Sequence, residues 1–161
     1  MTEQEFDNII DENLWATVFE KIYDGLPEKY YEVVMQIETA CQAVLQIWWL
    51  VGEVENGGFD QYYFNTDGKW AMNECEYLLP TLLKLVGADT LADICQRANR
   101  VLNENADKVT ESFSKANFEK FDFSWESHMF DSFDEEFYEN TYNLEELMIQ
   151  FIRKNKQSFV S

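Results

Sequence analysis

A chain of 161 residues with a single histidine and 31 acids has few routes to catalysis. His128, in the string "WESHMF", is the one candidate for a Ser-His-Asp arrangement, and a lone histidine excludes a multi-histidine metal site. Flanked by Trp125 and Met129, it reads as a packed or surface side chain. Carboxylates can hold Mg²⁺ or Ca²⁺, or act in pairs on a glycosidic bond. No EF-hand pattern D-x-[DN]-x-[DN]-G occurs, however, and with so many acids a close pair carries no information. Trp48, Trp49, Trp70 and Trp125 are the right type to line a ligand pocket, but tryptophan on a central helix reads as core. The cysteines Cys41, Cys75 and Cys95 are odd in number, far apart and set among apolar residues, so they read as reduced thiols, neither disulfides nor a metal knuckle. No catalytic residue, metal or cofactor is expected.

What abundant carboxylates can do is attract cations on a partner. The string "FDSFDEEFYENTYNLEE", residues 130–146, alternates acids with aromatics and has no lysine or arginine. On a helix, Phe130, Phe133 and Phe137 share one face, and Asp131, Glu135, Glu136 and Glu139 spread over the opposite one. Like charges at i, i+4, as in Asp131, Glu135 and Glu139, cost about a few tenths of a kcal/mol per pair. A purely structural helix gains by placing a lysine there, so the missing bases point to a partner.

The net charge of −19 disfavours direct binding to nucleic acid or to an anionic membrane, both of which want a basic surface. Residues 81–120 are balanced, whereas both ends of the chain are acidic. A composition 46% hydrophobic and 16% aromatic argues against disorder and for one domain over residues 1–161. No run of eighteen apolar residues exists and the first ten residues are acidic where a signal peptide is basic, so a cytoplasmic protein is expected.

The elements that position these acids read as helices throughout, and the expected fold is all-α, a compact single-domain helical bundle with a central apolar helix and several shorter ones. Thr2 and Glu5 can form a capping box, so the first helix begins near residue 3, or else near Asn13. Leu14, Val18 and Ile22, with Trp15 and Phe19, form a stripe ended by Gly25 and Pro27. Residues 28–55 are apolar almost all round and belong at the centre. A single helix of that length measures about 42 Å, so a break is expected near residues 36–39. Ala71, Cys75, Leu78, Leu79, Leu82 and Leu85 follow at helical spacing, with Pro80 expected to kink or split the helix and Gly87 to end it. Thr90 and Asp93 are expected to cap the next helix, and Asn143 with Glu146 the last.

The most distinctive string is "EVENGGFDQYYFN", residues 53–65. Asn56, Gly57 and Gly58 form a helix stop, after which Phe59, Tyr62 and Tyr63 pack a new short helix onto the core. Two glycines can also cradle a phosphate, but Lys69 is the only base between residues 30 and 83, so the structural reading is preferred. This string, together with "LLKLVGADTLADICQRA" and the later "DEEFYE", resembles a bacterial family of small acidic all-helical proteins, largely a domain of unknown function, whose best-known member is a dimeric DNA mimic. Glu53, Asn56, Gly57, Gly58, Phe59, Gln61, Tyr62 and Asn65 carry the resemblance, with Leu85, Gly87, Ala88 and residues 91–102. It spans roughly residues 35–152. It implies an all-α fold, no known catalysis and, for the mimic, a carboxylate-studded surface in the DNA-binding site of a helix-turn-helix repressor.

The expected partner is therefore a basic DNA-binding or other nucleic-acid-binding protein; the alternatives are a basic toxin or nuclease that the chain neutralises as an immunity protein, or a helical domain without an electrostatic partner. The abundant aromatics and the resemblance suggest a homodimer. The expected acidic surface comprises Glu3, Asp7, Asp11, Glu12, Glu126, Asp131, Asp134, Glu135, Glu136 and Glu139. Acids at i, i+4 rise about 6 Å per carboxylate, whereas one DNA strand presents a phosphate about every 3.4 Å, so rows must combine. The two acidic ends are expected on one face.

Overall fold

The computed structural model describes residues 1–27, 33–66, 68, 71–72, 75–108, 111 and 129–160. Its helices are α1 (Glu3–Asp7), α2 (Asp11–Asp24), α3 (Thr39–Asn65), α4 (Leu78–Leu85), α5 (Asp89–Glu104), α6 (Asp131–Asn140) and α7 (Leu144–Lys154). Short 3₁₀ turns lie at Val34–Gln36 and Lys156–Ser158. The described residues are all-α, around one core. Trp70, Trp125, Glu126 and His128 lie outside them, so the expectations placed on these residues do too.

Both candidate starts of the first helix are used. Thr2 caps α1 with its hydroxyl on the Glu5 N–H (3.2 Å) while the Glu5 carboxylate takes the Thr2 N–H (2.7 Å). That pairing holds the Glu5 carboxyl below its ordinary value. After a turn, α2 buries Leu14, Trp15 and Val18 and half-buries Phe19 and Ile22.

The expected break falls where the long apolar run needs one. Ile37 is extended after the 3₁₀ turn, and its carbonyl accepts the Gln42 side-chain amide at 2.8 Å. From Thr39, α3 runs through the middle of the fold, packed on α2, α4, α6 and α7. Val44, Leu45, Ile47, Leu50 and Val54 are fully buried, as expected of a helix with almost no wet face.

Three local expectations need correction. Pro80 neither kinks nor splits a helix, because α4 starts at Leu78 and puts Pro80 in the first turn, where backbone N–H groups have no intrahelical acceptor. Ala71 and Cys75 stand before the helix and Leu85 is half exposed, so the apolar spacing overstated its length. Thr90 and Asp93 do not cap α5. Gly87 takes a left-handed turn (φ +89°), the Ala88 N–H reaches the Leu83 carbonyl (2.8 Å), and the helix begins at Asp89 without a side-chain cap. Asn143 occupies the N-cap position of α7, but its side chain makes no capping bond.

Candidate interaction surface

Helix α6 carries the acidic string, and its apolar side holds it down. Phe130 and Phe137 are fully buried. The Phe130 ring lies 5.0 Å from Tyr63, and Phe137 meets Phe59 edge-on at 5.7 Å. Tyr138 Oη adds a bond to the Val54 carbonyl at 2.7 Å. The opposite side turns Asp131, Glu135 and Glu139 to solvent. Glu135 and Glu139 have no ion pair among the described residues.

Two acids expected on that outer surface work inside the molecule instead. Glu136 is clamped by Arg97 of α5, through Nη1 at 3.2 Å and Nη2 at 2.5 Å. The same guanidinium lies over the Phe133 ring at 5.5 Å and reaches Asp93 at 2.8 Å. Hydrogen bonding to Arg97 holds the Glu136 carboxyl below its ordinary value, and the pairing raises the guanidinium's own pKa. Asp134 is half-buried and turned toward α3, where Oδ1 accepts the backbone N–H of Phe59 at 2.8 Å. Its place was legible: four residues after Phe130 and three before Phe137, it falls on the anchored side.

That contact explains the glycine string. At Gly57 and Gly58 the backbone of α3 leaves helical geometry, with Gly58 at φ +73°. A Cβ on Gly58 would overlap the Asp134 carboxylate. The break takes the Phe59 N–H from its helical acceptor, and Asp134, 75 residues away, replaces it. On the other side of the kink, Glu53 Oε2 accepts both Gln61 Nε2 and Asn65 Nδ2 at 2.7 Å, and Asn56 Nδ2 bonds the Gly52 carbonyl at 2.6 Å. Phe59, Tyr62 and Tyr63 are buried beyond it, and Tyr63 Oη bonds Asn99 of α5 at 2.8 Å. Burial raises the Tyr62 and Tyr63 hydroxyls well above their ordinary pKa, so both remain neutral.

The amino-terminal acids meet a different fate. Lys156 Nζ binds Asp7 at 2.7 Å and lies 3.8 Å from Glu3, and Arg153 binds Asp11 through Nη2 at 2.7 Å. Both cations stand over the Phe6 ring, at 5.8 and 5.4 Å. Arg153 also donates to the Phe6 and Ile9 carbonyls. The carboxy-terminal residues that reach the amino-terminal acids are thus the bases Arg153 and Lys156, with the Gln157 amide donating to Glu3 at 3.4 Å. Glu12 is exposed and outside these pairs, and Glu126 lies outside the described residues.

Among the described residues, no group of three or more His, Cys, Asp or Glu is placed to hold a metal ion. No described helix is long and apolar enough to cross a membrane. All three cysteines are free thiols, and burial raises that of Cys41 to about 11.

A family model described as DMP19-like protein matches residues 35–155, a range that includes the glycine kink and α6 but neither α1 nor α2. No curated protein and no solved structure matches the chain.

Proposed function

The chain belongs to the DMP19-like protein family, and from that premise we propose that it acts without catalysis, as a DNA mimic in the cytoplasm. Its carboxylates stand in for phosphates and occupy the nucleic-acid-binding site of a basic, repressor-like protein. They would accept charge-assisted hydrogen bonds from lysine and arginine.

One observation carries the reading: the chain pairs the acids of one row itself and leaves Glu135 and Glu139 of the other without an ion pair among the described residues. Glu3, Asp7 and Asp11 have cations of their own chain and lie outside the family-matched range. Glu135 and Glu139 are exposed, unpaired among the described residues, inside that range and on a helix whose other side is anchored in the core. A rigid charged row avoids the entropy cost of ordering side chains and backbone on binding. With carboxylates about 6 Å apart, α6 alone is sparser than a DNA strand. Asp131 and the exposed Glu145 and Glu146 at the start of α7 would extend it, and a homodimer would join two such faces.

The test is capture from lysate at low salt. A basic DNA-binding protein should be retained, then released both by high salt and by duplex DNA added as competitor. A captured protein that duplex DNA does not displace would contradict mimicry.

A further inference from the structure

In a chain this acidic, one place on the surface has the opposite character. A half-open cavity of about 330 Å³ lies between the end of α4 and the last turns of α7. Its lining holds two lysines, Lys84 and Lys154, and no carboxylate, although the chain has 31 acids against 12 bases. The apolar part of the lining comprises the buried Val86 and Phe151, the half-buried Leu147, and Leu85, which is 50% exposed. Glu146, whose carboxylate accepts the Gln150 amide at 3.1 Å, is not part of the lining.

Elsewhere the chain pairs its cations. Arg97, Arg153 and Lys156 each hold carboxylates. Among the described residues, the ammonium groups of Lys84 and Lys154 have neither an ion pair nor a hydrogen bond. Their place at two helix ends does not account for this. A lysine in a last turn complements the helix dipole, but the carbonyls there already have donors. The N–H groups of Val86, Gly87 and Ala88 take Leu82, Lys84 and Leu83, and Asn155 takes Phe151 with both its backbone and its side chain.

An apolar cavity beside two unpaired lysines fits a ligand with an apolar body and an anionic head. Size decides against a helical segment of a partner. A helix with its side chains is about 10–12 Å across, too broad to enter, whereas small-molecule pockets begin at about 300 Å³. Charge decides the head. The net charge of −19 repels a polyanion such as nucleic acid from the same lysines. A single carboxylate meets mainly the two cations beside it, because the remaining field is screened over about 8 Å.

We infer that this cavity binds a small amphipathic carboxylate, its tail on Leu85, Leu147 and Phe151 and its head at Lys84 and Lys154. Such a site is separate from the outer row of α6 and does not depend on mimicry.

Octanoate is the probe, followed by methyl and aromatic NMR of the native protein. At millimolar concentration it should shift the Leu85, Val86 and Leu147 methyl signals and the Phe151 ring signals, and the shifts should saturate. Acetate, which lacks the tail, and octylammonium, which reverses the head, should leave them in place at the same concentrations. Lys84→Gln with Lys154→Gln changes two exposed side chains, and should weaken octanoate binding several-fold without disturbing the rest of the spectrum. Octylammonium that binds as tightly as octanoate would overturn the site, as would a double variant that binds octanoate unchanged or shifts that never saturate. A dimer in sedimentation that Leu85→Asp dissociates would give the cavity to a second copy of the chain and overturn it equally.

Discussion

The guanidinium of Arg97 lies over the ring of Phe133 and holds Glu136 with two nitrogens, so a base on α5 does what no base on α6 is present to do. It neutralises the flank of the acidic helix while leaving the outer row alone. Both partners are partly exposed, so solvent screens the pair and its contribution is modest. Arg97→Ala should lower the melting temperature by a few degrees, as read by thermal unfolding. No shift would mean that the Phe130 and Phe137 anchors suffice.

The pH dependence of that pair follows from the same contact. Arg97 depresses the Glu136 carboxyl, so its contribution is fully present above the ordinary glutamate value of 4.5 and is lost as pH falls through the lower folded value. Native and Arg97→Ala proteins should therefore converge in stability under acid. A difference that persists unchanged to pH 2 would assign the effect of Arg97 to packing.

Two glycines of α3 should respond in opposite directions. Gly58→Ala demands φ +73° from a residue with a Cβ and overlaps Asp134, which combines strain of about 1–2 kcal/mol with loss of the inter-helix cap. Gly52 lies within the helix with open space where a Cβ would go, so Gly52→Ala should gain about 0.5–1 kcal/mol. Chemical unfolding of both variants checks the pair. Equal effects would mean that the kink is not the specific demand described.

Much of this was legible in the sequence. The 3.6-residue period gave the helices, the Asn-Gly-Gly string marked the break in α3, and Thr2 with Glu5 gave the cap of α1. Pro80 misled because apolar spacing continued upstream of the helix start, and spacing alone cannot say where a helix begins. The partners of the acids were hidden for another reason. Asp134 meets Phe59, and Asp7 meets Lys156, across 75 and 149 residues, and such contacts leave no trace in local spacing.

Arg153 and Lys156 hold α1 through Asp7 and the Phe6 ring, and the start of α2 through Asp11. Arg153→Ala combined with Lys156→Ala should raise hydrogen exchange and proteolysis of residues 1–10, and high salt should do the same to the native protein. Binding to a basic partner should change little. A large loss of binding would move the contact face to the amino terminus.

The central claim is that α6, and not the amino-terminal row, meets the partner. It is tested most directly by comparing two charge reversals for capture of the same lysate protein at low salt, with far-ultraviolet circular dichroism as a check on folding. Glu135→Lys with Glu139→Lys should abolish capture, whereas Glu3→Lys with Glu12→Lys should leave it within a few-fold of the native protein. Capture that survives the α6 reversal and fails with the amino-terminal one would contradict the account.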